Sequence, residues 1–373
     1  MLKRFEVSQY RGFKDTIAFD LTAAEYSFNK GIVKDGIVNK ALIYGKNNTG
    51  KSNLGLALMD LTAHLTDNAT NNLLRKIYIN AESDNGYASF AYYFQFDEDE
   101  VVYKYKKADV NYLIEEELYF NGERVVLYDY FDFKKRFIDK SLQGNLQINF
   151  IDNKLSVLKY IYRNTPTNKS SLLHKMMTFV NKMLWYRSLS EGNSFIGYTP
   201  KSFSLTDKIY EMNKKDDFEE FLKENDIIYK LEWEELGDKH DLMVVFPNDS
   251  RRRFIDIMST GTSTLLLFYA WSIEAFDDVS FLFVDEFDAF LHFESSKSIV
   301  QRLNKNRKFQ TILTTHNTYL MQNDLTRPDC CFILTNGVIK NLRNSTDKEI
   351  REAHNLEKLY INGAFVEWAS LKF

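Results

Sequence analysis

Eight consecutive residues, Gly45-Lys46-Asn47-Asn48-Thr49-Gly50-Lys51-Ser52, constrain this chain more than any other stretch. They fit the pattern G-x-x-x-x-G-K-[ST] at every fixed position. Gly45 and Gly50 free the backbone to wrap a phosphate and aim its N–H groups inward, with Asn47, Asn48 and Thr49 forming the loop between them. The apolar run Ala41–Tyr44 reads as a strand leading into the loop, and Leu54–Leu65 reads as the helix leaving it. Such a helix offers its positive N-terminus to the same anion. In this setting Lys51 is expected to reach the β and γ phosphates of a nucleotide and Ser52 to ligate Mg²⁺. The alternative is an ordinary Gly-rich turn, which the strand before it and the helix after it disfavour.

A phosphate loop of this kind works with a carboxylate at the end of a neighbouring strand. Phe281-Leu282-Phe283-Val284-Asp285-Glu286 supplies one: four apolar residues, then two acids. Asp285 is expected to hold Mg²⁺ through water and Glu286 to polarise the attacking water. Most of the chain separates the two motifs, so something is inserted between them.

Residues 1–130 read as one lobe. Leu2–Val7 and Ile17–Leu21 read as short strands around Arg11-Gly12, and Ala88–Phe96, Val101–Tyr105 and Leu113–Phe120 as an aromatic-rich meander. Residues 131–227 are rich in Lys, Leu, Asn and Met at helical spacing, as in Leu172–Leu184 and Phe218–Glu224, and read as a mostly helical insertion. From 228 to 373 strand character returns. Leu265–Ile273 reads as a buried helix, and Ser280–Val284, Phe309–Thr315 and Cys331–Leu334 as strands of a parallel α/β sheet.

Further stretches resemble the ATP-binding-cassette ATPases of the SMC, RecF and OLD-like group. The nearer likeness is to stand-alone ATPase subunits of bacterial anti-phage defence systems of the PARIS and Septu types. Phe5-Glu6-Val7-Ser8-Gln9-Tyr10-Arg11-Gly12-Phe13 resembles the family's opening strand and turn, whose arginine, matched by Arg11, approaches the nucleotide. Met258-Ser259-Thr260-Gly261-Thr262 resembles the ABC signature and opens an apolar helix. The resemblance implies that Ser259, Gly261 and Thr262 close over the γ-phosphate held by a second subunit. Phe287-Asp288-Ala289-Phe290-Leu291-His292 resembles the D-loop, placing Asp288 near the dimer seam. Thr314-Thr315-His316-Asn317 resembles the switch-histidine loop, and Asn355–Gly363 the family's closing helix and turn. The resemblance covers roughly 1–130 and 228–363, and nothing in it accounts for the middle. Gln95 is the one candidate for the family's Q-loop glutamine, and a surface strand position is its simpler reading.

The resemblance implies an α/β P-loop ABC-ATPase head with an antiparallel β subdomain and a helical insertion. Two heads would sandwich two ATP–Mg²⁺, with Lys51, Glu286 and His316 catalytic, and higher oligomers are open. OLD nucleases carry a metal-dependent nuclease domain after the ATPase. Here the sequence stops at Phe373, so the expected output is a separately encoded effector, with a phage protein or DNA as trigger. A RecF-like DNA-repair ATPase or DNA clamp is the alternative.

Composition bears on these readings. A net charge of −4 excludes a globally basic nucleic-acid coat, so a DNA contact needs a local patch. Arg251-Arg252-Arg253, Lys134-Lys135-Arg136 and Lys104–Lys107 are such patches, and each reads first as a solvated face. The 6 His and 2 Cys lack metal-ligand spacing, and adjacent Cys330 and Cys331 argue against a disulfide scaffold. No apolar run reaches the ~20 residues that span a bilayer, and no signal peptide opens the chain, so a cytoplasmic protein without a membrane partner is expected.

Overall fold

Alternation of side chains along five apolar strands builds the centre of the molecule. The computed structural model describes residues 1–68, 72–148, 152–166, 168, 171–189, 192–198, 204–236 and 239–365. Met183–Leu189, Phe281–Asp285, Gln310–Thr315, Lys40–Tyr44 and Cys331–Thr335 lie side by side in that order, all parallel. Gly192–Gly197 and Val338–Asn341 pair antiparallel at the two edges. Ala41, Ile43, Trp185, Phe281, Phe283 and Ile312 enter one hydrophobic core, which the helix Lys51–Leu65 covers. Their neighbours Leu42, Tyr44, Leu184, Leu282, Val284 and Leu313 enter the opposite core, beneath the helices Thr260–Glu274 and Phe293–Lys305. A parallel sheet covered on both faces needs these near-continuous apolar runs.

A second seven-stranded sheet is wholly antiparallel, in the order Arg136–Ile138, Glu123–Asp129, Tyr112–Phe120, Asp99–Asp109, Ala88–Phe96, Leu2–Ser8, Ile17–Asp20. It contains the aromatic meander. Its hairpin between Phe120 and Glu123 turns on Asn121 and Gly122 with φ of 49° and 83°, the left-handed pair that a two-residue turn requires. The Lys51–Leu65 helix lies in the core between this sheet and the parallel one. The chain therefore has an α/β fold in which an antiparallel β subdomain stands beside the parallel sheet.

Residues 131–227 hold helices Lys140–Gln143, Val157–Asn164, Leu172–Asn181, Leu205–Glu211 and Lys215–Lys223. They also hold the hairpin Met183–Leu189 and Gly192–Gly197, which the helical reading missed. The helix expected to run to Leu184 stops at Asn181, and Met183 is already a strand residue beside Phe281. A short apolar run such as Met-Leu-Trp-Tyr carries no period that separates strand from helix; the open edge of the Phe281–Asp285 strand decides it. The segment thus contributes a strand to the parallel sheet.

Lys107 is a second correction. The lysine run 104–107 reads as a solvated face, yet the Lys107 side chain is fully buried against Asp60 of the phosphate-loop helix. Arg251–Arg253, by contrast, forms an exposed edge strand whose Arg251 and Arg253 pair with Glu232, Asp241 and Asp256. Trp185 and Trp271 are core residues, and Trp368 lies outside the described residues.

Candidate nucleotide site

The fully buried strand Lys40–Tyr44 delivers the chain into the loop at Gly45. Asn48 and Gly50 take positive φ, 63° and 100°, so the loop curls back before the helix starts at Lys51. Gly50 has a further reason to be glycine: a Cβ there would stand 2.8 Å from the Phe13 ring. Ser156, Ser171 and Ser204 cap the N-termini of their helices with side-chain oxygens, but no side chain caps the Lys51 helix. Its first N–H groups are left for an incoming anion. Lys46, Asn47 and Asn48 are exposed, while Lys51 is buried.

The Lys51 ammonium donates to its own loop, 2.9 Å from the Gly45 carbonyl and 3.2 Å from that of Lys46. Desolvation lowers its pKa, opposed by the carboxylates of Glu286 and Asp285. Thr49 donates its hydroxyl to the Lys46 carbonyl at 3.0 Å. Ser52 hydrogen-bonds Asp285.

Asp285 ends its strand fully buried, accepting from the Thr314 hydroxyl at 2.8 Å. Burial raises its pKa, and the Ser52 and Thr314 hydrogen bonds oppose that. Its Oδ2 is buried with no hydrogen-bond partner. A buried carboxylate oxygen without a donor, beside a serine hydroxyl and a phosphate loop, is the donor set a divalent cation takes. The residues present therefore fit Mg²⁺. Glu286, the next residue, adopts φ 48°, in the left-handed region, and its N–H donates to Thr314 Oγ1 at 2.7 Å.

His316 follows the neighbouring strand Gln310–Thr315. Its Nδ1 lies 3.5 Å from Lys51 Nζ, and its ring also hydrogen-bonds the Gly45 backbone. Desolvation, and then the Lys51 charge, hold it below the ordinary histidine value. Asp288 accepts from Thr315 Oγ1 at 2.5 Å, and burial pushes its pKa up to about 6.

The signature stretch also forms a helix start. Ser259 caps the helix Thr260–Glu274 and accepts from the Thr262 N–H at 3.1 Å. Gly261 packs on the acidic loop, where a Cβ would stand 2.8 Å from the Phe290 carbonyl. Arg11 sits in a tight turn at φ 50°, with its guanidinium over the Tyr10 ring and donating to the Leu73 carbonyl. The next two residues of that turn reach the phosphate-loop helix: Phe13 at Gly50, Gly12 at Asn53. Gln95 stays in the antiparallel sheet, its amide donating to the Asp97 carbonyl at 2.8 Å, and takes no part in the site.

One residue at the acids escapes sequence reasoning. Arg187, on the strand beside Phe281–Asp285 and in register with Asp285, forms ion pairs with both Asp285 and Glu286. The signal available in the sequence was a lone arginine ending the apolar run Met-Leu-Trp-Tyr, which the helical reading of that run obscured.

Lys51, Ser52, Asp285, Glu286, His316 and Arg187 thus meet at the carboxyl ends of four adjacent parallel strands, where open α/β sheets bind their ligands. Fold and site together define a P-loop ATPase head. Residues 40–322 match the family described as "AAA domain, putative AbiEii toxin, Type IV TA system", and the chain belongs to that family. No curated protein matches the chain. Among solved structures it is similar to an Smc head bound to the C-winged helix domain of ScpA, at 17% identity over 92% of this chain and 99% of that one, with a TM-score of 0.46. It is also similar to the SMC head domain from Thermotoga maritima, at 16% identity over 91% and 98%, with a TM-score of 0.42. Among the described residues no helix is long and apolar enough to cross a membrane, and no group of three or more His, Cys, Asp or Glu is placed to hold a metal.

Proposed function

We propose that this chain binds and hydrolyses ATP as a homodimer and uses that cycle as the sensor and scaffold of an anti-phage defence system with a separate effector. The observation that carries the ATPase reading is the meeting of Lys51, Ser52, Asp285, Glu286 and His316 at one end of the parallel sheet. The loop amides and Lys51 hold the phosphates, with Arg11 nearby on the turn that packs against the helix start. Ser52 and Asp285 hold Mg²⁺, which when bound neutralises charge on the β and γ phosphates. Glu286 orients the attacking water and His316 contacts the γ-phosphate. Gln95 is left out of the scheme.

Ser259, Gly261 and Thr262 stand at the start of a second helix, Thr260–Glu274, and their hydrogen bonds serve its cap. In this reading they complete the site of a second copy, so that loss of the γ-phosphate loosens the dimer. Support for the defence role is the sequence resemblance together with the family description, which names a toxin and a toxin–antitoxin system. The exposed Arg251–Arg253 strand carries partners for Arg251 and Arg253 within this chain, which weighs against the DNA-clamp alternative. In this reading 1–130 and 228–373 are the two lobes of the head, and 131–227 is the segment inserted between them.

The test is purification with Mg-ATP from cells carrying the neighbouring genes, followed by native mass and phosphate release. A dimer that turns over ATP with a stoichiometric second protein is expected. ATP affinity should fall at least tenfold in Lys51→Ala, and turnover should stop in Glu286→Gln while binding persists. Unchanged ATP affinity in Lys51→Ala overturns the site. A partner-free dimer that retains DNA brings the clamp reading forward.

A further inference from the structure

Arg187 stands where the mechanism above places only acids and a metal ion. Its strand is locked in place, because Trp185 and Tyr186 are buried in opposite cores and Arg187 is paired in register with Asp285. The guanidinium spans both acids, with one nitrogen on Glu286 Oε2 and another 3.7 Å from Asp285 Oδ2. That second distance is too long for a good hydrogen bond, and Oδ2 has no other donor. The arginine therefore balances Asp285 by charge while leaving the metal-binding lone pairs unused. Two neighbouring carboxylates repel, and a planar guanidinium fork is the side chain suited to bridging both.

We propose that Arg187 is a positioning residue that competes with divalent cations for Asp285 and Glu286 and yields when a triphosphate brings its own Mg²⁺. This rests on the nucleotide-site reading above. The released guanidinium then faces the only new anion in the site, the phosphates. The strand bearing it continues from the helix Leu172–Asn181 and pairs with Gly192–Gly197, both in the inserted segment.

The test is a titration of Mn²⁺, as a stand-in for Mg²⁺, into nucleotide-free protein, read by electron paramagnetic resonance. Wild type, Arg187→Gln and Arg187→Lys are compared after thermal melts have confirmed folding. Arg187→Met, which keeps the aliphatic stem, replaces the Gln variant if that one does not fold. The neutral variant should bind Mn²⁺ at least tenfold more tightly than wild type, and Arg187→Lys should stay close to wild type. Equal or weaker Mn²⁺ binding by the neutral variant overturns the proposal, as does a Lys variant that behaves like the neutral one. A structural role alone would not tighten metal binding. A second arm, Mn²⁺ with ATP on wild type and Asp285→Asn, separates the two readings: an affinity unmoved by Asp285→Asn overturns the nucleotide site itself, whereas a lost affinity leaves the Arg187 outcome to stand alone.

Discussion

Lys107 and Asp60 form an ion pair at 2.8 Å with both side chains fully buried. Asp60 lies on the phosphate-loop helix and Lys107 on the antiparallel sheet, so the pair pins one to the other. Tyr105 and Tyr78 donate to the same carboxylate, each at 2.9 Å. A buried carboxylate is tolerable only with partners of this kind.

Removing one partner should therefore cost far more than a surface ion pair. Lys107→Met is expected to lose about 3–5 kcal/mol, because it strands the Asp60 charge. The double variant Lys107→Met with Asp60→Leu should recover part of that loss. Urea melts of the three proteins measure it; a single variant within 1 kcal/mol of wild type, by the estimate for exposed pairs of ~0–1 kcal/mol, would show the network is dispensable.

Gly55 sets the distance between the phosphate-loop helix and the acidic strand. A Cβ there would stand 2.5 Å from the Phe283 ring and 2.8 Å from Trp185 Nε1, and both side chains are fully buried with nowhere to retreat. Alanine is the better helix former by about 1 kcal/mol, yet overpacking costs about 1–3 kcal/mol. Gly55→Ala should thus be net destabilising by up to about 2 kcal/mol, read as a lower urea midpoint at unchanged slope.

Glu286 holds a left-handed backbone at φ 48°, which for a residue with a Cβ costs about 1–2 kcal/mol. Glu286→Ala and Glu286→Gly both remove the charge and the Arg187 pair, so their difference isolates the backbone. Glu286→Gly should melt about 1 kcal/mol more stable than Glu286→Ala. Equal stabilities would mean that the strand end relaxes when the side chain is gone.

Asp288 predicts a pH effect of definite sign. Its folded pKa, about 6, is above the ordinary carboxyl value of 3.8, because burial disfavours the charged form. Between those two values the folded chain holds the proton that the unfolded chain has lost, so stability falls as pH rises. Asp288→Asn, which keeps an acceptor for Thr315 and stays neutral, should stabilise the nucleotide-free protein above pH 6 by up to about 3 kcal/mol. The gain should vanish as pH drops below 4, a comparison that thermal melts across the window decide.

Much of the core could be read in advance because its strands are short, apolar and punctuated by turn residues. Ala88–Phe96 and the Asn121-Gly122 turn fall where the pattern puts them, and the Lys51 helix follows its Gly-rich loop. The strand Met183–Leu189 does not stand out, since its place depends on Phe281–Asp285, a partner strand remote in sequence; Glu123–Asp129 and Arg136–Ile138 pair with strands next to them in the chain and are missed because charged residues interrupt their apolar pattern. Lys107 misleads for a related reason. In a run of lysines only the pleat decides which one points inward, and Lys107 continues the buried alternation of Tyr103 and Tyr105.

The sequence by itself determined the Gly-rich loop and the acidic strand end, because each is a contiguous stretch whose chemistry is local, and it marked His316 through a resemblance. Tertiary structure alone decided that Arg187 faces Asp285 and Glu286, that Lys107 meets Asp60, and that Asp288 is buried beside Thr315. Those are charges taken out of water by strands that lie far apart in the chain. The balance between desolvation and pairing that governs them exists only once the sheet has brought them together.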